Sequence, residues 1–323
     1  MTQIGLEAAL WRGKTMSELR FDGKVAIITG GGRGVGRIHA LTLAARGAKV
    51  VVVDPGVALD GGSGASNAPA SEVVAEIKAA GGEAVASFEK VNDRAGAARM
   101  VELALDSYGR LDILINNAGN SMPELFEEQT LEQFELLNEV HYLGTVYVTK
   151  AAWPHLVKAG NGRLVNTISE GPTGMHERGT GYGGAKAGVI GLTLSLAAEA
   201  KFHGVGVNGF APRIATRLSA PDVLAHVYDR PAEDFVKNMA MFPSELSSPA
   251  AIYLAHESCT LNGVLLVSGG KQVMRMAIME NEGFRGEDMS VENIAAHIDQ
   301  IIDMKDCIHV GIGAKVGMPV VKA

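Results

Sequence analysis

The sequence predicts an α/β fold in which one doubly wound parallel sheet of about seven strands carries helices on both faces. Three observations predict it. Residues from Val25 to Arg46 read as a strand, a turn crowded with Gly30, Gly31, Gly32, Gly34 and Gly36, and a helix closed by Gly47. Apolar runs then alternate with helical periodicity as far as Ser268, the pattern of right-handed β–α–β crossovers. Finally, Gly30, Asp54, Asn117, Ser169 and Pro212 all fall at or just past the ends of expected strands, where such a sheet binds ligands.

Val25 to Ile28 is apolar and partly β-branched, which suits a buried parallel strand. The second strand, Ala48 to Val53, ends on Asp54. Pro55 to Pro69 is rich in Gly, Ala and Ser and is expected to be a flexible loop. Ser71 to Ala80 reads as a helix closed by Gly81 and Gly82, and Ala84 to Phe88 as the third strand. Asp93 caps a helix that runs to about Tyr108. Leu111 to Ile115 is the fourth strand; Asn116, Asn117, Ala118 and Gly119 follow, and their small side chains leave room for a flat ligand. Thr130 and Gln133 form a capping-box pattern that opens an interrupted helix reaching about Lys158. The fifth strand is Gly162 to Ile168, the next long helix Tyr182 to Phe202, the sixth strand Val205 to Phe210 and the seventh Val264 to Val267. Residues 213–243, broken by Pro221, Pro231 and Pro243, are expected to form a lid. The domain organisation is thus an extension (1–20), one domain (21–270) and a tail (271–323). An amphipathic helix from Ser290 to Ile302 would pack on the same domain or on a neighbouring subunit.

The chain has 323 residues, 47% of them hydrophobic, enough for a sizeable core. Its net charge of −7 argues against nucleic acid or an anionic membrane as a partner. Cys259 and Cys307 have no metal or redox spacing, which points to reduced thiols, a cytoplasmic protein and no bound metal. No apolar run reaches the length of a membrane span. Glu7 breaks the mildly apolar N-terminal region, so no signal peptide is expected.

The glycine turn predicts a phosphate cradle of the Rossmann type. Glycines admit a pyrophosphate close to the backbone, and the helix start offers free N–H groups and a positive dipole end. Asp54, 18 positions past Gly36, suits the adenosine ribose hydroxyls of NAD and would repel the 2′-phosphate of NADP. Tyr182 and Lys186 are four apart on an expected helix and so share a face. An ammonium beside the phenol, with a cationic nicotinamide nearby, would lower the tyrosine pKa from its ordinary value of about 10 towards a working general base. Ser169, at the preceding strand end, could hydrogen-bond the same substrate oxygen.

On Thr29, Gly30, Gly34 and Gly36, the run Asn116 to Gly119, Ser169, the Tyr182/Lys186 pair and Gly263 to Gly270, the chain resembles the short-chain dehydrogenase/reductase family over residues 20–270. The resemblance implies that Tyr182 is the acid/base, Ser169 orients substrate, and Lys186 binds the nicotinamide ribose. Asn117, Ala118 and Gly119 would line the ribose region. Val91 would touch adenine, and Val35, Pro212 and Ile214 would complete the cofactor site. Within the family the chain is similar to the (3R)-hydroxyacyl-CoA dehydrogenase part of multifunctional β-oxidation enzymes. That subgroup also has a long loop after the second strand, an Ala-Ala-Trp run as at Trp153, and a run like His256 to Gly263.

Three departures stand out, and the cofactor signs are mixed. His141 replaces an Asn that helps a proton relay, and is either a relay member or a packed helix histidine. Arg213 replaces a Gly and either touches the pyrophosphate or faces the lid. Glu89 replaces an Asp before Val91, for a small effect. Arg33 stands where NADP users often keep a basic residue; NAD is nonetheless expected over NADP because of Asp54. The expected activity is NAD-dependent interconversion of a secondary alcohol and a ketone, on a 3-hydroxyacyl-CoA or steroid-like substrate. Alternatives are the same chemistry on a polar cyclic or aromatic alcohol, which the polar run His176, Glu177 and Arg178 favours, and a non-catalytic dinucleotide-binding regulator. A homodimer or homotetramer is expected, through residues 131–158 and 187–202.

Overall fold

The computed structural model describes residues 18–58, 63–215, 219–287 and 289–310, without the side chains of 237–240. Most of the expected N-terminal extension, the middle of the loop after Asp54, part of the lid and residues 311–323 of the tail lie outside the described residues.

In chain order the first half runs β1 (Val25–Thr29), α1 (Gly34–Ala45), β2 (Lys49–Val53), α2 (Ala68–Ala79), β3 (Glu83–Ser87), α3 (Arg94–Tyr108) and β4 (Ile113–Asn116). There follow α4 (Leu131–Asn138), one π turn (Glu139–Leu143), α5 (Gly144–Lys158), β5 (Arg163–Thr167), α6 (Thr180–Ala200) and β6 (Gly206–Pro212). The lid consists of α7 (Pro221–Tyr228) and α8 (Glu233–Met241). Beyond it come α9 (Ser244–Ala255), β7 (Leu265–Gly269) and β8 (Gln272–Met276). Sheet order is β3-β2-β1-β4-β5-β6-β7-β8, with seven parallel strands and β8 antiparallel to β7. The chain winds outwards from β1 to β3, returns, and winds the other way from β4. The switch point therefore lies between β1 and β4.

Successive side chains of a strand point to opposite faces, and β1 shows it. Ala26 and Ile28 pack with Leu43 of α1, Val73 and Ile77 of α2 and Leu254 of α9. Val25 and Ile27 pack on the other face with Met100 of α3, Leu156 of α5 and Ala197 of α6. Local signals set the helix ends as expected. The Asp93 side chain accepts from Ala95 N, and Thr130 with Gln133 forms a complete capping box.

Three expectations are corrected. The tail does not lie wholly beyond the sheet, because Gln272–Met276 turns back through Gly270 and Lys271, both at positive φ, to add the eighth strand. The helix expected over Ser290 to Ile302 is two short pieces, α10 (Val291–Ala296) and α11 (Ile298–Ile302), parted at His297, whose ring stacks on Phe284. No residue of either piece is buried. A short hairpin, β9 (Met279–Glu280) with β10 (Ile308–His309), brackets them. Third, α2 begins at Ala68, before the expected Ser71, because Pro69 suits a first helical turn.

His39 of α1 is fully buried between Phe210 and α9, with Nδ1 2.8 Å from Ser248 Oγ. Burial pushes its pKa down from 6.5 to about 3. The unfolded chain therefore binds a proton here below about 6.5, while the folded chain binds none until near 3, so this site makes stability fall as pH drops through that window. The urea midpoint should fall between pH 6.5 and pH 4, and by less in a His39→Gln variant, which keeps a partner for Ser248 and cannot ionise. Equal falls in both proteins would contradict this.

Candidate active site

The glycine turn joins β1 to α1 at the switch point. Gly30 and Gly34 have φ of +63° and +53°, a region that side chains rarely adopt. The turn is stitched to the end of β4: Asn117 Nδ2 donates to Thr29 O (3.0 Å) and Gly30 O (3.1 Å), while Asn117 N and Ala118 N donate to Thr29 Oγ1. Gly36 sits behind this seam and, alone of the sequence-predicted site residues, does not line the cavity. A Cβ on Gly36 would lie 2.2 Å from Gly30 O and 2.3 Å from Asn117 Nδ2. The start of α1 has no side-chain cap and no acidic residue in its first turn, so its N–H groups remain for an anion.

Asp54 is 8% exposed and shapes the same turn: Oδ2 accepts from Gly32 N at 3.0 Å and Oδ1 from Gly56 N at 2.8 Å. Each oxygen keeps a lone pair for a ribose hydroxyl. Arg33 is exposed, with Nη1 donating to Val57 O on the rim. Arg213 pairs with Glu170 through two bonds of 2.7 and 2.6 Å, tying the end of β6 to the loop after β5. Val91 is buried against Gly144, and Glu89 is held by Arg99.

At the far side of the seam Ser169, Tyr182, Lys186 and His141 come together. Lys186 is 4% exposed; its Nζ donates to Thr167 O at 2.6 Å and lies 5.9 Å from the centre of the Tyr182 ring. Ser169 Oγ accepts from Gly171 N at 3.0 Å and lies close enough to the Tyr182 phenol to oppose the rise in its pKa. In the chain alone the shifts run opposite to those expected with the cationic nicotinamide bound. Burial raises the Tyr182 phenol above 10 against the opposing Ser169 hydroxyl, and burial lowers Lys186 to about 7. Desolvation of both groups outweighs their mutual effect in the chain alone.

His141, carried by the π turn, meets the Tyr182 ring edge-on at 5.1 Å, and its Nε2 is 2.9 Å from Asn120 O. Burial first, then the Lys186 charge, pushes its pKa down to about 3 against the Asn120 bond. A neutral imidazole packed this way is a poor proton acceptor. Gly119 must be glycine here, since a Cβ would come within 2.6 Å of His141 Cε1.

One cavity of about 580 Å³ runs from Asp54 and Val91 past Gly30, Gly34, Val35, Asn117 and Ala118 to Ser169, Tyr182 and Lys186, and on to Pro212 and Ile214. Among its lining residues, Asn120 Nδ2 and Oδ1, His141 Nδ1 and Thr167 Oγ1 are buried without a hydrogen-bond partner among the described residues. Orphaned polar atoms at this end, with the glycine cradle at the other, fit a long ligand that is polar at both ends. Asn120 and Thr167 escaped the sequence reading, although Asn120 directly follows the run 116–119. Among the described residues no cluster could hold a metal, and no helix is long and apolar enough to cross a membrane.

A parallel sheet with a glycine cradle and this cavity at its switch point is the arrangement of a dinucleotide-binding α/β fold. The profile of short chain dehydrogenases matches residues 24–222, and the chain belongs to that family. It is 36% identical to the hydroxyacyl-CoA dehydrogenase ChsB1 of Mycobacterium tuberculosis, over 80% of this chain and 81% of the relative. It is 34% identical to the peroxisomal multifunctional enzyme type 2 of Drosophila melanogaster, over 91% of this chain. The full-length structure of that enzyme superposes with a TM-score of 0.72 at 31% identity, and the chain spans 48% of its length. A carveol dehydrogenase from Mycobacterium avium in complex with NAD superposes with a TM-score of 0.69 at 26% identity, over 77% of this chain and 97% of that one.

Gly36→Ala should leave a folded protein by circular dichroism and weaken dinucleotide binding at least about tenfold in titration, because the new methyl pushes the turn off Asn117. Unchanged affinity would show that the seam does not set the cradle.

Proposed function

We propose that this chain interconverts a secondary alcohol and a ketone with NAD, with Tyr182 as the acid/base. The observation that carries the reading is Tyr182, half-buried beside Ser169 and one helical turn from a buried Lys186 in the same cavity. Bound nicotinamide supplies the hydride acceptor. Ser169 holds the substrate oxygen beside Tyr182, which takes the alcohol proton in oxidation and returns it in reduction. Lys186 binds the nicotinamide ribose and steadies the phenolate. With its pKa raised, Tyr182 is protonated at neutral pH in the chain alone, the form that serves as acid; acting as base requires the positive charge of the oxidised cofactor. His141 takes the positioning side of its two readings, as the neutral ring against which Tyr182 and Gly119 pack.

Asp54 supports NAD over NADP, and the relative in complex with NAD agrees with it. The name of the hydroxyacyl-CoA dehydrogenase relative supports a 3-hydroxyacyl-CoA substrate. Self-association through α4, α5 and α6 belongs to the same reading.

Three variants and a pH profile test this reading. Asp54→Ala should narrow the preference for NAD over NADP in titration, and a wild-type protein that binds NADP more tightly would overturn the cofactor assignment. Tyr182→Phe should keep NAD affinity and lower turnover by about 10²–10⁴-fold. The oxidation rate should rise with pH as Tyr182 loses its proton, and Lys186→Ala should move that rise to higher pH while weakening NAD binding. Near wild-type turnover in Tyr182→Phe would sink the assignment.

A further inference from the structure

The polar run His176, Glu177 and Arg178 has no part in the proposed proton transfer, yet His176 and Arg178 line the cavity. They lie on the loop between Ser169 and α6. The Tyr228 hydroxyl of α7 is 2.8 Å from His176 Nδ1, so this loop and the lid helix close one end of the cavity together. Leu224 and Val227 of the same helix add apolar lining there.

The Arg178 side chain is only 18% exposed. Its Nη1 donates to Glu128 at 3.0 Å, and Glu128 is 53% exposed, which makes this a weak surface pair. Its Nε and Nη2 make no hydrogen bond among the described residues. The guanidinium lines the cavity with N–H groups that no acceptor among the described residues takes up, and its planar fork matches a carbonyl or carboxylate. The other cations that line the cavity have other places. Arg33 and Lys90 stand at the Asp54 and Glu89 end, and Lys186 donates to Thr167 O. Among the described residues that line the cavity, Arg178 is thus the one permanent cation at the lid end; Arg213 nearby is paired with Glu170. His176 beside it is held below its ordinary pKa by burial, with Glu170 opposing, so it is neutral at pH 7. Its Nδ1 is engaged by the Tyr228 hydroxyl, which fixes the ring at the cavity wall.

We infer that Arg178 is a specificity-determining residue that accepts substrates carrying an acyl oxygen a few bonds from the carbinol carbon. That chemistry has two sources, the carbonyl of a thioester and the carboxylate of a free hydroxy acid. The inference rests on the alcohol-oxidation reading and narrows it: a plain lipid or cyclic alcohol has nothing to offer the guanidinium.

The test uses the full chain with saturating NAD and three alcohols of equal length: a 3-hydroxyacyl-CoA, its free acid, and the secondary alcohol without the acyl group. The wild type should prefer an acyl-bearing substrate. Arg178→Met should lower the ratio of kcat/KM for that substrate to kcat/KM for the plain alcohol by about 10- to 100-fold, mostly through KM, as the loss of a charge-assisted hydrogen bond requires. Arg178→Lys should recover part of it. A preference for the thioester identifies the carbonyl as the group bound, and one for the free acid identifies the carboxylate; either supports the inference. An equal loss on all three substrates, or none, overturns it while leaving the alcohol-oxidation reading intact. Failure of the wild type to oxidise any of the three while binding NAD overturns that reading and the inference with it.

Discussion

The architecture depends on how closely two backbones approach at the switch point. β1 and β4 are neighbours in the sheet, but the turn leaving β1 and the run leaving β4 must also touch above it. The approach is possible because Gly30 and Gly36 have no side chain, and it is held because Thr29 and Asn117 exchange side-chain and main-chain hydrogen bonds across it. Everything downstream takes its position from that seam. Gly119 follows Asn117 by two residues and rests on His141; His141 rests on Tyr182; Tyr182 meets Ser169 and Lys186. The cradle and the candidate acid/base are two ends of one packed series.

Burial governs the electrostatics of this series more than charge pairing does. Among the described residues Lys186 has no carboxylate partner; a main-chain carbonyl receives it. Its ammonium, the Tyr182 phenolate and the His141 imidazolium are all disfavoured by desolvation, so the site is least charged when the chain is alone. A cationic ring entering such a site changes the balance more than it would in water, since low polarity strengthens each new interaction.

Most of the sheet was legible in the sequence because buried parallel strands are short apolar runs and their helices are punctuated by glycines and caps. The residues that gather at the strand ends were legible for the same reason: knowing where strands end is enough to bring Asp54, Asn117, Ser169 and Pro212 to one cavity. What escaped depended on tertiary surroundings. Asp54 reads as a ribose ligand, but nothing local shows that Gly32 N and Gly56 N already bond its two oxygens. The direction of the Tyr182 shift turns on how much solvent the fold excludes, which spacing along a helix does not encode. Arg213 allowed two readings, and neither foresaw its pairing with the Glu170 carboxylate, 43 residues away. The broken tail helix was misread because the stripe of Val291, Ile294, Ile298 and Ile302 suits a continuous helix, whereas the His297 ring turns aside to stack on Phe284.

The π turn at Glu139–Leu143 has a geometric consequence of its own. A wider turn inserts an offset into an otherwise regular helix, so α4 and α5 are out of phase although the chain between them never leaves a helical path. The face that α4 presents to α6 therefore does not continue as the face of α5 that covers α3. One extra residue in the coil lets a single rod serve two neighbours on different sides, with His141 at the point of rotation. Ironing the bulge out by deleting one residue would restore a regular helix and turn one of the two faces away from its neighbour.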